Sequence, residues 1–180
     1  MAMVACLNSD RRAVNSKMAT GQETGAFSKP TALNLRQWVD DQTLLSWIEA
    51  EIERFVPLSL GEGFISPDAA DRFRKMMTLL CFAYSGGLTR SAEIVEALRT
   101  EIDFRFVTPG LRPFAEELRT FRRRYRAVLE VVLTRLFMRA ATFNRQFAKE
   151  AVPRELENQF ENRARNLLNL ARHLDACDDC

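Results

Sequence analysis

Leu156, Phe160, Ala164, Leu167, Ala171 and Leu174 follow one another at intervals of four, four, three, four and three residues. Only an α-helix gathers positions spaced in that way on one side, and a stripe so apolar needs cover from water. The segment therefore reads as a helix with a second helix laid along it. The same period recurs upstream. Leu44, Leu45, Ile48, Ile52 and Phe55 share a face from about Asp41 onward, and Pro57 closes that segment. Phe73, Met76, Met77, Leu80 and Tyr84 form another stripe, and their helical spacing marks them as core rather than a cofactor site. Ser66-Pro67-Asp68 starts this helix: serine caps, proline fits the first turn and aspartate favours the positive end of the dipole. Gly86-Gly87 ends it.

Composition points the same way. The 180 residues are 47% hydrophobic with only seven glycines and six prolines. That is enough for a real core and too few chain breakers for a sheet-rich fold, so an all-α, compact multi-helix bundle is expected. Residues 1–34 lack a sustained period and are expected to be a poorly ordered arm, with the helical domain spanning residues 35–180. No apolar stretch approaches the roughly 18 residues of a membrane span. The four cysteines show no framework spacing, and Cys81 reads as a small buried hydrophobe. A cytoplasmic, reduced protein is the expectation.

The second half of the chain carries the chemistry. A short helix begins near Ser91, capped by Ser91 or Thr89, with Glu93 in its first turn and Ile94, Val95 and Leu98 inward. "FRFVTPGLRP" (104–113) reads as a compact connector around Pro109-Gly110, at most extended and too short for a sheet. A long helix then runs from near Pro113 to at least Ala140, and a last one starts at Val152-Pro153. At 100° per residue, Phe114, Leu118, Phe121, Tyr125, Val128, Leu129 and Val132 fall on one side of the long helix. Arg119, Arg122, Arg123 and Arg126 fall in an adjoining stripe about 100° wide, and Arg124 points elsewhere. Glu116, Glu117 and Glu130 lie near the ends of that stripe and leave its centre uncompensated. Such a row suits successive phosphates of a duplex, or a guanine edge. A charge run is also commonly just a solvated helix face. With a net charge of only +2, any affinity for nucleic acid must come from local clustering. A short helix, a connector and a basic helix together make the layout of a helix-turn-helix reader.

Residues 76–137, "MMTLLCFAYSGGLTRSAEIVEALRTEIDFRFVTPGLRPFAEELRTFRRRYRAVLEVVLTRLF", carry a further pattern. Tyr84-Ser85-Gly86-Gly87 ends an apolar helix, Ser91 to Glu96 make a short second one, and Phe104-Arg105-Phe106 lie in the connector. Leu111-Arg112-Pro113 opens the arginine helix, Phe121 to Tyr125 sit within it, and Leu136-Phe137 follow. This run resembles the N-terminal helical DNA-binding domain of insertion-sequence DDE transposases of the InsH type. The resemblance extends more loosely over about residues 40–180, including "LLNLARHLDACDD" (167–179), which is similar to the linker helix of that family. It implies a module that recognises transposon ends. The sequence departs from the family at Phe114, where an aspartate is usual, and at Glu117-Leu118, where Thr-Ile is usual. No "Asp-Gly-Thr" run of a ribonuclease-H-like core occurs, so a non-catalytic, truncated or repurposed product is expected. On this basis Arg119, Arg122, Arg123 and Arg126 would face duplex DNA, with Arg112 at the helix start, and Thr89 and Arg90 would brace phosphates.

Other chemistry finds little footing. His173, Cys177 and Cys180 make an H-x₃-C-x₂-C cluster whose fourth zinc ligand would have to come from Cys6, Cys81 or an acid such as Asp175, and neither metal nor cofactor is expected. Gly86-Gly87 and Gly61-Glu62-Gly63 lack the GxxxxGK[ST] pattern of a phosphate loop. The rival to DNA binding is a protein-interaction or regulatory module, in which Leu156, Phe160, Leu167 and Leu174 pair with a second copy of the chain.

Overall fold

The structure is a computed structural model, and it describes residues 34–55, 66–146 and 154–177. Among the described residues every regular element is helical. After a 3₁₀ turn at Leu35–Gln37 come α1 (Asp41–Glu53), α2 (Pro67–Ser85), α3 (Ser91–Thr100) and α4 (Ile102–Val107). Then follow α5 (Ala115–Arg124), α6 (Arg126–Gln146) and α7 (Arg154–Cys177).

Local chemistry explains most of the boundaries. Asp40 caps α1, its carboxylate accepting from the Thr43 backbone N–H at 2.9 Å and from the Thr43 hydroxyl at 2.7 Å. Ser66 caps α2 by accepting from the Ala69 N–H at 3.2 Å, with Pro67 in the first turn as the sequence leads one to expect. At the other end Gly86 closes α2 and Gly87 takes φ +89°, a left-handed geometry that glycine adopts without strain.

α2 is the centre of the core. Every residue from Met76 to Ser85 is buried, so this half of the helix is enclosed on all sides rather than along one stripe. α1 lays Leu44, Trp47, Ile48 and Ile52 against it, and α6 adds Leu129, Val132, Leu133 and Leu136. Phe82 meets Phe104 of α4 edge-on at 5.2 Å. Cys81 lies wholly inside, and burial pushes its thiol up to about 12.

α6 and α7 form an antiparallel hairpin. Phe137 stands against Phe160, Glu130 against Arg165 and Arg126 against Asn169, so the chain numbers fall on one helix as they rise on the other. The buried line on α7 runs Ala164, Leu168, Ala171 and Asp175. Phe160 and Leu167 are half-buried beside it. The seam read from the sequence shares Ala164 and Ala171 with this buried line, which takes Leu168 and Asp175 in place of Leu167 and Leu174, and it packs within the chain.

Two expectations need correction. The connector after α3 is not extended: Ile102–Val107 is a short helix, and only then does Gly110 turn the chain at φ +78°. The long helix from Pro113 is two helices. It breaks at Tyr125 (φ −107°, ψ 24°), where no proline or glycine stands. The break coincides with a cluster of rings in which Phe73 lies 5.7 Å from Phe121 and 4.9 Å from Tyr125. Helical-wheel arithmetic therefore cannot be carried from Arg123 to Arg126. Phe114, counted on the apolar side, is instead 71% exposed just before α5.

Candidate functional site

The arginine row opens at the start of α5. Phe114 occupies the capping position and its side chain has no acceptor to offer. Glu117 makes only the reciprocal half of a capping pair, its carboxylate accepting from the Phe114 backbone N–H at 3.0 Å while also pairing with Arg72 of α2 at 2.9 Å.

One turn further on, Leu118 and Arg122 point together into the protein. Arg122 is only 5% exposed. One of its Nη atoms donates to the Tyr84 hydroxyl at 2.9 Å and to the Thr89 carbonyl at 3.3 Å. The other donates to Ser91 Oγ at 3.1 Å and pairs with the Asp175 carboxylate. Asp175, reaching in from the last turns of α7, also accepts from the Ser91 N–H at 2.8 Å and the Ser91 hydroxyl at 2.7 Å. α3 has no side-chain cap of its own, so this distant carboxylate serves as one, with its negative charge at the positive end of the helix. A buried charge-assisted network thereby ties α2, the α2–α3 turn, α3, α5 and α7 to one another. Within it, burial pushes the Tyr84 phenol up to about 12 against the opposing pull of Arg122.

The structure therefore divides the predicted row. Arg122 is under cover and engaged through both Nη atoms, which takes it off the exposed face of α5. Thr89 is buried as well, and it is the Thr89 carbonyl that takes part, toward Arg122 rather than toward an outside phosphate. Arg119 is largely covered, with its guanidinium 3.4 Å from Glu116 and 3.8 Å from Asp175. Arg123 is exposed and lies 3.1 Å from the same Glu116. Arg126, beyond the break, donates to Asn169 at 2.6 Å. The centre of the row is compensated after all, by Glu116 from within α5 and by Asp175 from a helix about fifty residues away.

Of the remaining predicted contacts, Arg90 sits 3.8 Å from Glu93. Arg112 is exposed beside a cleft of about 220 Å³ that Arg99, Val95, Leu98 and Phe114 also line. Arg124, which the helical wheel set aside, is exposed with its guanidinium 5.3 Å from the centre of the Tyr125 ring. Arg112, Arg124 and Arg172 have no ion pair among the described residues. A second cleft, of about 230 Å³, opens between α5 and α7. Glu116, Arg119, Arg122, Arg123, Arg172 and Asp175 line it.

Sequence reasoning missed Arg172 and the pairing of Asp175 with Ser91 and Arg122, having read Ser91 only as a helix cap and Asp175 only as a possible zinc ligand. The available signal was an acid in line with a helical apolar seam: Ala164, Leu168, Ala171 and then Asp175. A carboxylate in that register must be buried and needs a cation. Among the described residues no group of three His, Cys, Asp or Glu side chains is placed to hold a metal ion. Cys177 is exposed, while Cys6 and Cys180 lie outside the described residues. No family model, curated protein or solved structure matches the chain.

Proposed function

We propose that this chain is a non-catalytic, transposase-related module that binds duplex DNA through the outward side of α5. One observation carries the reading. With Arg122 withdrawn into the core, α5 still presents Thr120, Arg123 and Arg124 to solvent, and Arg112 precedes them. Two of these three guanidiniums, those of Arg112 and Arg124, are not matched by a carboxylate among the described residues. α3 packs against α5 as the first helix of a two-helix reader packs on its recognition helix. α4 is an insertion between them that the tightest versions of that motif lack.

The experiment is a titration of the chain with generic duplex DNA across salt concentrations. Affinity should fall by orders of magnitude between about 50 and 200 mM salt, because each phosphate contact releases a counterion. Absence of binding at the lowest salt overturns the reading.

A second reading, a protein-interaction module, is favoured by a different observation. Ile102 and Phe106, one turn apart on α4, are 74% and 71% exposed. The surface would then be α4 rather than the α7 seam. Pairing of two chains through Leu156, Phe160, Leu167 and Leu174 would require α7 to leave α6, against which it is packed.

A further inference from the structure

The cleft between α5 and the end of α7 is more than a gap in the packing. Four guanidiniums and two carboxylates line it, so its formal charge is +2. The two acids are already shared. Glu116 faces both Arg119 and Arg123, and Asp175 faces both Arg119 and Arg122 while it also caps α3. Arg172 completes the rim and has no ion pair among the described residues.

Depth matters as much as charge. The floor of the cleft is the buried Arg122–Asp175 pair, and the Arg119 side chain above it is only 19% exposed. Guanidiniums held in partly desolvated surroundings attract an anion more strongly than the same groups in bulk water. They are also already positioned, since Arg119 and Arg123 are both steered by Glu116. The opening of about 230 Å³ accommodates a small oxyanion together with several waters at ~30 Å³ each.

We propose that this cleft is a phosphate-binding site, in which Arg119, Arg123 and Arg172 hold one phosphate group above the fixed Arg122–Asp175 pair. Planar forks from two helices, α5 and α7, suit a tetrahedral oxyanion with several acceptor oxygens, and the net charge matches a phosphate better than a neutral ligand. The phosphate comes either from a DNA backbone or from free phosphate in solution. In the first case the site deepens the DNA reading and rests on it. In the second it stands alone.

The test uses the full chain and its Arg172→Gln variant, with Arg105→Gln as a control, an exposed arginine outside the cleft. In the first arm, thermal unfolding is followed as inorganic phosphate is added, against sodium chloride of equal ionic strength. Phosphate should raise the midpoint of the wild type and of Arg105→Gln, and should lose at least half of that effect in Arg172→Gln. In the second arm, duplex DNA is titrated. Arg172→Gln should weaken binding several-fold and lower the salt slope by about one. If Arg172→Gln matches the wild type in both arms, there is no phosphate site in the cleft. If DNA binds wild type and variant alike while phosphate fails to stabilise either, the cleft proposal falls and the DNA reading stands. If DNA does not bind but the phosphate effect still depends on Arg172, the cleft takes free phosphate and the DNA reading falls.

Discussion

Arg122 shows how little a residue's identity says about its task. It stands in the middle of an arginine run, yet Tyr84, Thr89, Ser91 and Asp175 surround it and only 5% of it is exposed. A buried ion pair is weak evidence for net stabilisation, but removing one partner strands the other in a poor solvent. Asp175→Ala should therefore cost about 3–5 kcal/mol, measured by urea unfolding, and should loosen α3 by uncapping it. A loss below about 1 kcal/mol, the scale of an exposed pair, would show that the network holds nothing in place. Tyr84 offers a second check. Its phenol is raised from near 10 to about 12, so the folded protein keeps a proton that the unfolded chain releases. The stability linked to that proton is fully present below pH 10 and is lost as pH climbs toward about 12. Of the two tyrosines, one should ionise only in that late range, seen by ultraviolet absorbance, and Tyr84→Phe should remove the late phase. A late phase that survives the substitution contradicts the assignment.

At the level of elements, the sequence revealed what local chemistry controls. The capped start of α2 at Ser66-Pro67 and its stop at Gly86-Gly87 follow from local caps, and the helical character of α1, α3 and α7 from spacing, although the cap expected for α3 at Ser91 or Thr89 is absent. What escaped depends on contacts distant in the chain. The break at Tyr125 lies where rings from α2 and α5 crowd together, and no helix breaker in the sequence marks it. The seam of α7 slips from Leu167 to Leu168 because α6, not the heptad rule, sets the buried line. The candidate site was legible in the same measure. The arginines were visible as a group, but which of them face outward depends on Asp175, which lies on another helix. The seam yields a sharp prediction. Leu168→Ala should destabilise by about 2–5 kcal/mol, whereas Leu170→Ala, at a position 48% exposed, should change stability by no more than about 0.5 kcal/mol. Denaturant midpoints compare the two, and equal losses would mean that the hairpin register is wrong.

For the molecule as a whole, a formal charge of +2 means that the proposed recognition of a polyanion rests on arrangement rather than on bulk attraction. No described helix is long and apolar enough to cross a membrane. The arrangement assigns one arginine to holding the helices together and its neighbours on α5 to the outside. The most direct test compares DNA binding by the wild type with that of an Arg123→Gln, Arg124→Gln double variant whose unfolding midpoint is unchanged. The account predicts at least a ten-fold loss of affinity at low salt and a salt slope smaller by about two. Wild-type affinity and slope in the double variant would contradict it.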